Sequence, residues 1–134
     1  MIQGAKSPLV KPESAFEVEV DVARNIARTR FSGNITAAQL EAGAGRLEEA
    51  LFKMRVGFVV LADLTGLESM GLDCAPPLAR IMDLCKARGV RRVIRVIPDP
   101  AKDIGLNILS LIHYRGEVQI VTCATMAEGE RALA

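Results

Sequence analysis

The stretch DLTGLESMGLDCAPPLARIMDLCKARG, Asp63 to Gly89, brings together the hydroxyl of Ser69, the carboxylates of Asp63, Glu68 and Asp73, and the thiols of Cys74 and Cys85. A serine among acids at the junction of a strand and a helix is a candidate phosphate acceptor. The three carboxylates could serve a hard cation only with further oxygen ligands, which the sequence does not identify, so solvated loop charge is the ordinary reading. The cysteines, Cys74, Cys85 and Cys123, show no CxxC or Cys/His spacing, and on a helix the first two would stand about 16 Å apart, too far to share a metal. His113, the only histidine, lies in ILSLIHYRG near an expected helix end, where it reads as structural or as facing the helix dipole. No Ser/His/Asp arrangement, nucleophile elbow, glycine-rich phosphate loop or paired-carboxylate motif occurs at meaningful spacing. We therefore expect no enzyme, no metal and no cofactor. In VRRVIRV, alternation places Arg91 and Arg95 on one strand face with Val93, a pair that could meet an acidic partner or a phosphate, or simply line an exposed sheet face.

The elements that must hold these residues follow from periodicity. FEVEVDV (Phe16–Val22) and IARTRFSG (Ile26–Gly33) both alternate, so Ala23–Asn25 is read as a hairpin turn. Thr36 and Gln39 form a capping box before Leu40, Ala44, Leu47, Leu51 and Met54, which recur at helical spacing. FVVLADL (Phe58–Leu64) is nearly all apolar, as a strand covered on both faces should be. A second helix then ends at Gly89, which suits a left-handed C′ position. The rhythm repeats with a strand over Val90–Ile97, a break at Pro98 and Pro100, and a helix carrying Ile104, Ile108, Leu111 and Ile112. A strand over Val118–Cys123 follows, and a capping box of Thr125 and Glu128 opens a terminal helix. The result is one α/β domain over residues 16–134, with a mixed, mostly parallel sheet and helices mainly on one face, behind a flexible tail of residues 1–15.

Composition narrows the function. The chain has 134 residues, 50% of them hydrophobic and only 4% aromatic, and a formal net charge of +1. That balance disfavours a nucleic-acid groove, which wants a basic patch and stacking aromatics. The longest apolar run, VGFVVLA (Val56–Ala62), is far short of the roughly 20 residues a spanning helix needs, and MIQGAKSPLVKPESA has no signal-peptide core. The expectation is a cytoplasmic protein with no membrane and no nucleic-acid partner.

FSGNIT at the end of a hairpin, VVLADLTGL at the end of a strand, ARG closing a helix and a terminal EGERAL together resemble a STAS domain, the module of sulfate transporters and anti-sigma-factor antagonists. The resemblance covers about Phe16–Leu133 and implies the fold derived above. It also implies a non-catalytic, bacterial signalling and transcription-regulation role. In the family's regulators a loop at the start of the second helix, usually Asp-Ser-Ser-Gly-Leu, docks on a kinase anti-sigma factor and is released when its first serine is phosphorylated.

That motif can be laid on this sequence in two ways. With the spacing from Asp63 to Gly89 intact it falls on Gly71, Leu72, Asp73, Cys74 and Ala75, and Leu72 takes the acceptor position. A gapped register places it on Glu68, Ser69, Met70, Gly71 and Leu72 and keeps a serine. Proline favours the first: a helix starting at Ser69 would carry Pro76 and Pro77 in its second turn at about 3 kcal/mol each. A start capped by Asp73 instead puts them where amides have no intrahelical partner. Asp73 is a good cap in its own right, and mimics a phosphoserine poorly, having one charge where the phosphate carries about 1.5 to 2. The expected partner-binding loop is thus Met70, Gly71, Leu72 and Asp73, with Ser69 the candidate phosphorylation site and Arg91 and Arg95 a candidate basic contact. The partner would be a protein, a kinase-type anti-sigma factor or another signalling protein, with a homodimer as a further option. The alternative on the same fold is a nucleotide- or lipid-sensing domain with a closed pocket.

The first residues have no apolar period to bury, so deletion of Met1–Glu13 should leave the melting temperature nearly unchanged. Loss of several degrees in a thermal melt would contradict the tail assignment.

Overall fold

Gln39 fixes where the first helix starts. Its backbone N–H donates to Thr36 Oγ1 at 3.2 Å, and its side-chain oxygen accepts from the Thr36 N–H at 2.9 Å. Its Nε2 donates to the Ser14 carbonyl at 2.9 Å and hydroxyl at 2.8 Å. The capping box read from the sequence therefore also moors the chain entering the first strand, and Ser14 and Ala15, assigned to the tail, are held in place.

The computed structural model describes residues 14–99, 114 and 116–133. The chain runs β1 (Ala15–Asp21), β2 (Ile26–Ile35), α1 (Ala37–Leu51), β3 (Val59–Met70), a 3-10 turn (Leu72–Cys74), α2 (Ala75–Ala87), β4 (Arg92–Val96), β5 (Gln119–Cys123) and α3 (Met126–Ala132). The tail up to Glu13, the helix expected around Ile104–Ile112 and His113 lie outside the described residues. The sheet order is β1-β2-β3-β4-β5. The β1–β2 pair is antiparallel and the other three are parallel. Asn25, at φ 60°, closes the hairpin in the left-handed region that asparagine tolerates.

Alternation along the strands divides the side chains between two faces. Phe16, Ala27, Phe31, Val60, Ala62, Leu64 and Val93 share one buried core with Leu40, Ala44 and Leu47 of α1 and Leu78, Ile81 and Met82 of α2. On the other face Val59, Leu61, Ile94 and Val96 form a second, smaller core with Met126, Ala132 and Leu133 in and after α3. So β3 is apolar on both sides, as its sequence requires. α3 also reaches β2, since Arg28 forks onto Glu130 at 2.6 and 3.1 Å. That hydrogen-bonded guanidinium holds the Glu130 carboxyl below the usual glutamate range. The contact therefore contributes fully above the usual glutamate range and is lost as pH falls below it through the lowered Glu130 value, and its exposure to solvent keeps the contribution small.

The main departure from expectation is the length of β3. A strand ending at Leu64 was expected; it continues to Met70, still paired with a β2 that runs on to Ile35. The pairing shifts between Arg30 and Ser32 and again between Gly33 and Asn34. Each irregularity breaks the two-residue period, which is why the sequence past Leu64 reads as a loop. Smaller corrections concern Met54, which sits in a turn after α1 with its N–H on the Leu51 carbonyl, and β4, which is shorter than Val90–Ile97 although both of those residues are buried. Gly89 follows α2 at φ 88°, as expected of a C′ residue.

α1 approaches β1 closely because Gly43 has no side chain: a Cβ there would fall against the Phe16 ring, whereas one at Gly45 meets nothing within 4 Å. Gly43→Ala should thus cost about 1–3 kcal/mol by overpacking. Gly45→Ala should gain roughly 0.5–1 kcal/mol from helix propensity. Opposite shifts in urea midpoint would bear this out, and equal shifts would refute it.

Candidate functional site

The 3-10 turn connecting β3 to α2 is built from the sequence MGLDCAPP. Gly71 is extended, the Cys74 N–H donates to the Gly71 carbonyl at 3.0 Å, and the Ala75 N–H donates to the Leu72 carbonyl. Cys74 is buried beneath the turn with its thiol 3.5 Å from the Ile35 carbonyl, so the turn is fastened to the end of β2. Burial raises the Cys74 pKa, keeping the thiol protonated in that contact. Met70 packs against the main core. Leu72 does the reverse: it is 95% exposed at the tip.

Asp73 is not the helix cap that was expected. The residue before α2 is Cys74, and neither the 3-10 turn nor α2 has a side-chain cap hydrogen bond. The extra turn moves the helix start past Asp73, while Pro76 and Pro77 still fall within the first turn of α2, where their missing amides do no harm. With the Cys74 and Ala75 amides bonded and two prolines next, the helix start is a poor anion site. The side chains the turn exposes are the apolar Leu72 and the charged Asp73.

Ser69 lies within β3, paired with Asn34, and its hydroxyl donates to Asn34 Oδ1 at 2.6 Å. It belongs to the strand and not to a helix start. Asp63 accepts from the Thr65 amide at 2.9 Å and hydroxyl at 2.7 Å. Among the described residues no group of three or more His, Cys, Asp or Glu could hold a metal.

Arg91 and Arg95 are not brought together as an exposed basic pair. Arg91 precedes β4 and is exposed, its Nε 3.4 Å from the Gly57 carbonyl. Arg95 is only 5% exposed and donates from Nη2 to Thr122 Oγ1 at 2.8 Å. Alternation was read correctly, but the face shared by residues 93 and 95 is the one turned toward the main core. There Arg95, Thr29, Tyr114 and Cys85 line an apolar cavity of about 60 Å³, room for a water or two and well below the roughly 300 Å³ of a ligand pocket. Burial pushes the Cys85 thiol up to about 12 and raises the Tyr114 hydroxyl as well. A larger groove of about 320 Å³ lies on the outward face of β1 and β2, between Glu17, Glu19, Arg28 and Arg30. Both of its arginines are paired: Arg30 faces Glu17 at 3.7 Å, and Arg28 holds Glu130 of α3.

The sequence reading passed over one exposed segment, Phe52–Val56. The signal was present as three apolar residues, Phe52, Met54 and Val56, alternating with Lys53 and Arg55, without an acid, between a helix and a strand.

No protein-family model matches this sequence, and no curated protein matches it. Solved structures do. An uncharacterized protein of the DUF3478 family with a SpoIIAA-like fold, from Shewanella loihica PV-4, superposes with a TM-score of 0.70 at 14% identity, covering 93% of this chain and 98% of that one. The anti-sigma factor antagonist SpoIIAA in its unphosphorylated form gives a TM-score of 0.62 at 16% identity over 89% and 97% of the two chains. An anti-sigma factor antagonist from Mycobacterium paratuberculosis gives 0.56 at 20% identity over 90% and 94%. The fold is therefore that of a STAS-like, SpoIIAA-like domain.

Since Leu72 buries almost nothing in the folded chain, Leu72→Asp should leave stability within about 0.5 kcal/mol. A chemical denaturation curve displaced by several times that amount would mean that the turn depends on this side chain.

Proposed function

We propose that this protein is a non-catalytic regulatory module of the cytoplasm that docks a protein partner through Met70, Gly71, Leu72 and Asp73 and is not switched by serine phosphorylation there. One observation carries the reading: a large aliphatic side chain, Leu72, stands 95% exposed on a turn fixed by backbone hydrogen bonds and by the buried Cys74. Surface loops held by a rigid scaffold are where recognition residues concentrate, and a leucine held outward is ready to be covered at little ordering cost. The likeness to anti-sigma factor antagonists supports a protein partner, and within that class a kinase-type anti-sigma factor or another signalling protein suits the site.

Two further observations support the absence of a switch and of catalysis. The helix start, with its prolines in the first turn, favours the ungapped register that leaves Leu72 in the acceptor position. The three thiols are all shifted upward by burial, away from the thiolate a nucleophile needs. A closed ligand pocket receives less support, because the cavity beside Arg95 is about 60 Å³.

Affinity capture from the native cell, followed by titration of the recovered partner, tests the proposal. Leu72→Ser should weaken binding by up to about 1–2 kcal/mol. Leu72→Asp should abolish it by stranding a charge at the interface, and Ser69→Ala should leave it unchanged. Stoichiometric phosphate on Ser69 in the intact mass of natively purified protein would overturn the reading.

A further inference from the structure

At the other end of the strands from Leu72, three turns form one surface: residues 22–25 before β2, 52–57 before β3, and 88–91 before β4. They are laced together. Asn25 bonds Arg55 twice, its Nδ2 donating to the Arg55 carbonyl at 3.1 Å and its Oδ1 accepting the Arg55 amide at 2.9 Å. The Gly57 amide donates to the Gly89 carbonyl at 2.7 Å, and the Val59 amide to the Asn25 carbonyl at 3.2 Å. The Arg88 guanidinium lies over the Phe52 ring at 3.9 Å.

This surface is unlike the rest of the chain. Its fourteen residues include Arg24, Lys53, Arg55, Arg88 and Arg91 and not one Asp or Glu, although the whole protein carries 17 Lys and Arg against 16 Asp and Glu. The remainder of the molecule is acidic on balance. Among the cations stand exposed apolar side chains: Val56 at 84%, Phe52 at 68% and Val22 at 43%. Of the carboxylates flanking the turns, Asp21 accepts the Arg24 amide at 3.0 Å, Glu117 faces Lys86 at 3.1 Å, and Glu49 lies one turn back in α1. Arg24 also lies near enough to Glu130 to lower its pKa. Cations after α1 and α2 complement the helix dipoles, which is a sufficient reason for Lys53 and Arg88. It explains neither Arg24 and Arg91 nor the apolar side chains held in water.

The geometry points to this end as a peripheral docking surface for an anionic lipid bilayer. Four to eight clustered cations are the usual means of holding a protein to acidic headgroups, and apolar side chains projecting between them suit the boundary just below the phosphates. The backbone amides of Asn25, Arg55, Gly57, Val59 and Arg91 are already bonded within the fold. What remains is charge and apolar area, which suit a fluid surface better than a peptide that must be read by directed hydrogen bonds. A nucleic acid would want stacking platforms, and one face of the only aromatic ring here, Phe52, is covered by Arg88. The sequence expectation of no membrane partner rested on the lack of a spanning segment, which bears on insertion and not on surface binding. The inference goes beyond the Leu72 reading and does not depend on it.

The test is co-sedimentation of the full chain with vesicles of phosphatidylcholine alone and with one third phosphatidylglycerol. The protein should pellet with the anionic vesicles only. It should be released as salt rises from about 0.1 to about 1 M, which shortens the Debye length from about 10 to about 3 Å. Lys53→Glu should lower partitioning at least about fivefold, the equivalent of one headgroup-bound cation, and Val56→Ser should lower it several-fold, both with an unchanged melting temperature. Leu72→Asp, at the far end, should bind vesicles like the parent, so failure of this inference and failure of the partner reading remain distinguishable. Absence of binding to anionic vesicles would overturn it. So would binding that ignores Val56→Ser while polyglutamate or duplex DNA competes fully, because the occupant would then be an acidic polymer.

Discussion

Burial of β3 on both faces is the constraint on which the rest of this molecule depends. Val60, Ala62 and Leu64 face α1 and α2, and Val59 and Leu61 face the α3 side. A strand apolar on both sides needs neighbours at both edges and cover on both faces. The parallel partners β2 and β4 supply the edges, and helices arriving from opposite directions supply the cover. Glycine allows those helices to come close: Gly43 lies against Phe16, and Gly129 lies against Val96 and Leu61.

Features set by neighbours in the chain were legible in the sequence. Thr36 with Gln39 and Thr125 with Glu128 open helices as their types and spacing require, and Gly89 ends one at positive φ. The hairpin, the parallel pairings and the double-sided β3 also follow from period alone. Features set by partners distant in the chain were not legible. The extension of β3 to Met70 depends on irregular pairing with β2, and such irregularities erase the alternation by which a strand is recognised. The orientation of Arg95 depends on which sheet face the helices choose, and five residues of alternation do not carry that information.

The candidate site shows the same division. Two adjacent prolines confined the start of α2 to a few positions, and the helix starts among them. They did not reveal the 3-10 turn that removes Asp73 from the cap position and leaves Leu72 outermost. Ser69, attractive by its neighbours in the sequence, turns out to be a strand hydroxyl bonded to Asn34 across the β2–β3 pair. Position along an element, and not the identity of flanking residues, decides what each side chain can do.

The order of strands across the sheet repeats their order along the chain. During synthesis each strand can therefore add to the free edge of those already made, and none must insert between two formed neighbours. Only the β1–β2 hairpin closes locally, whereas each parallel pair must first close a longer loop, and such non-local pairing is slow to form. The hairpin, α1 and β3 could assemble on the ribosome while the second half is still being made, with β3 waiting at the edge as the template for β4. The same strand that is most buried in the finished protein would then be the one most exposed to wrong pairing while it waits.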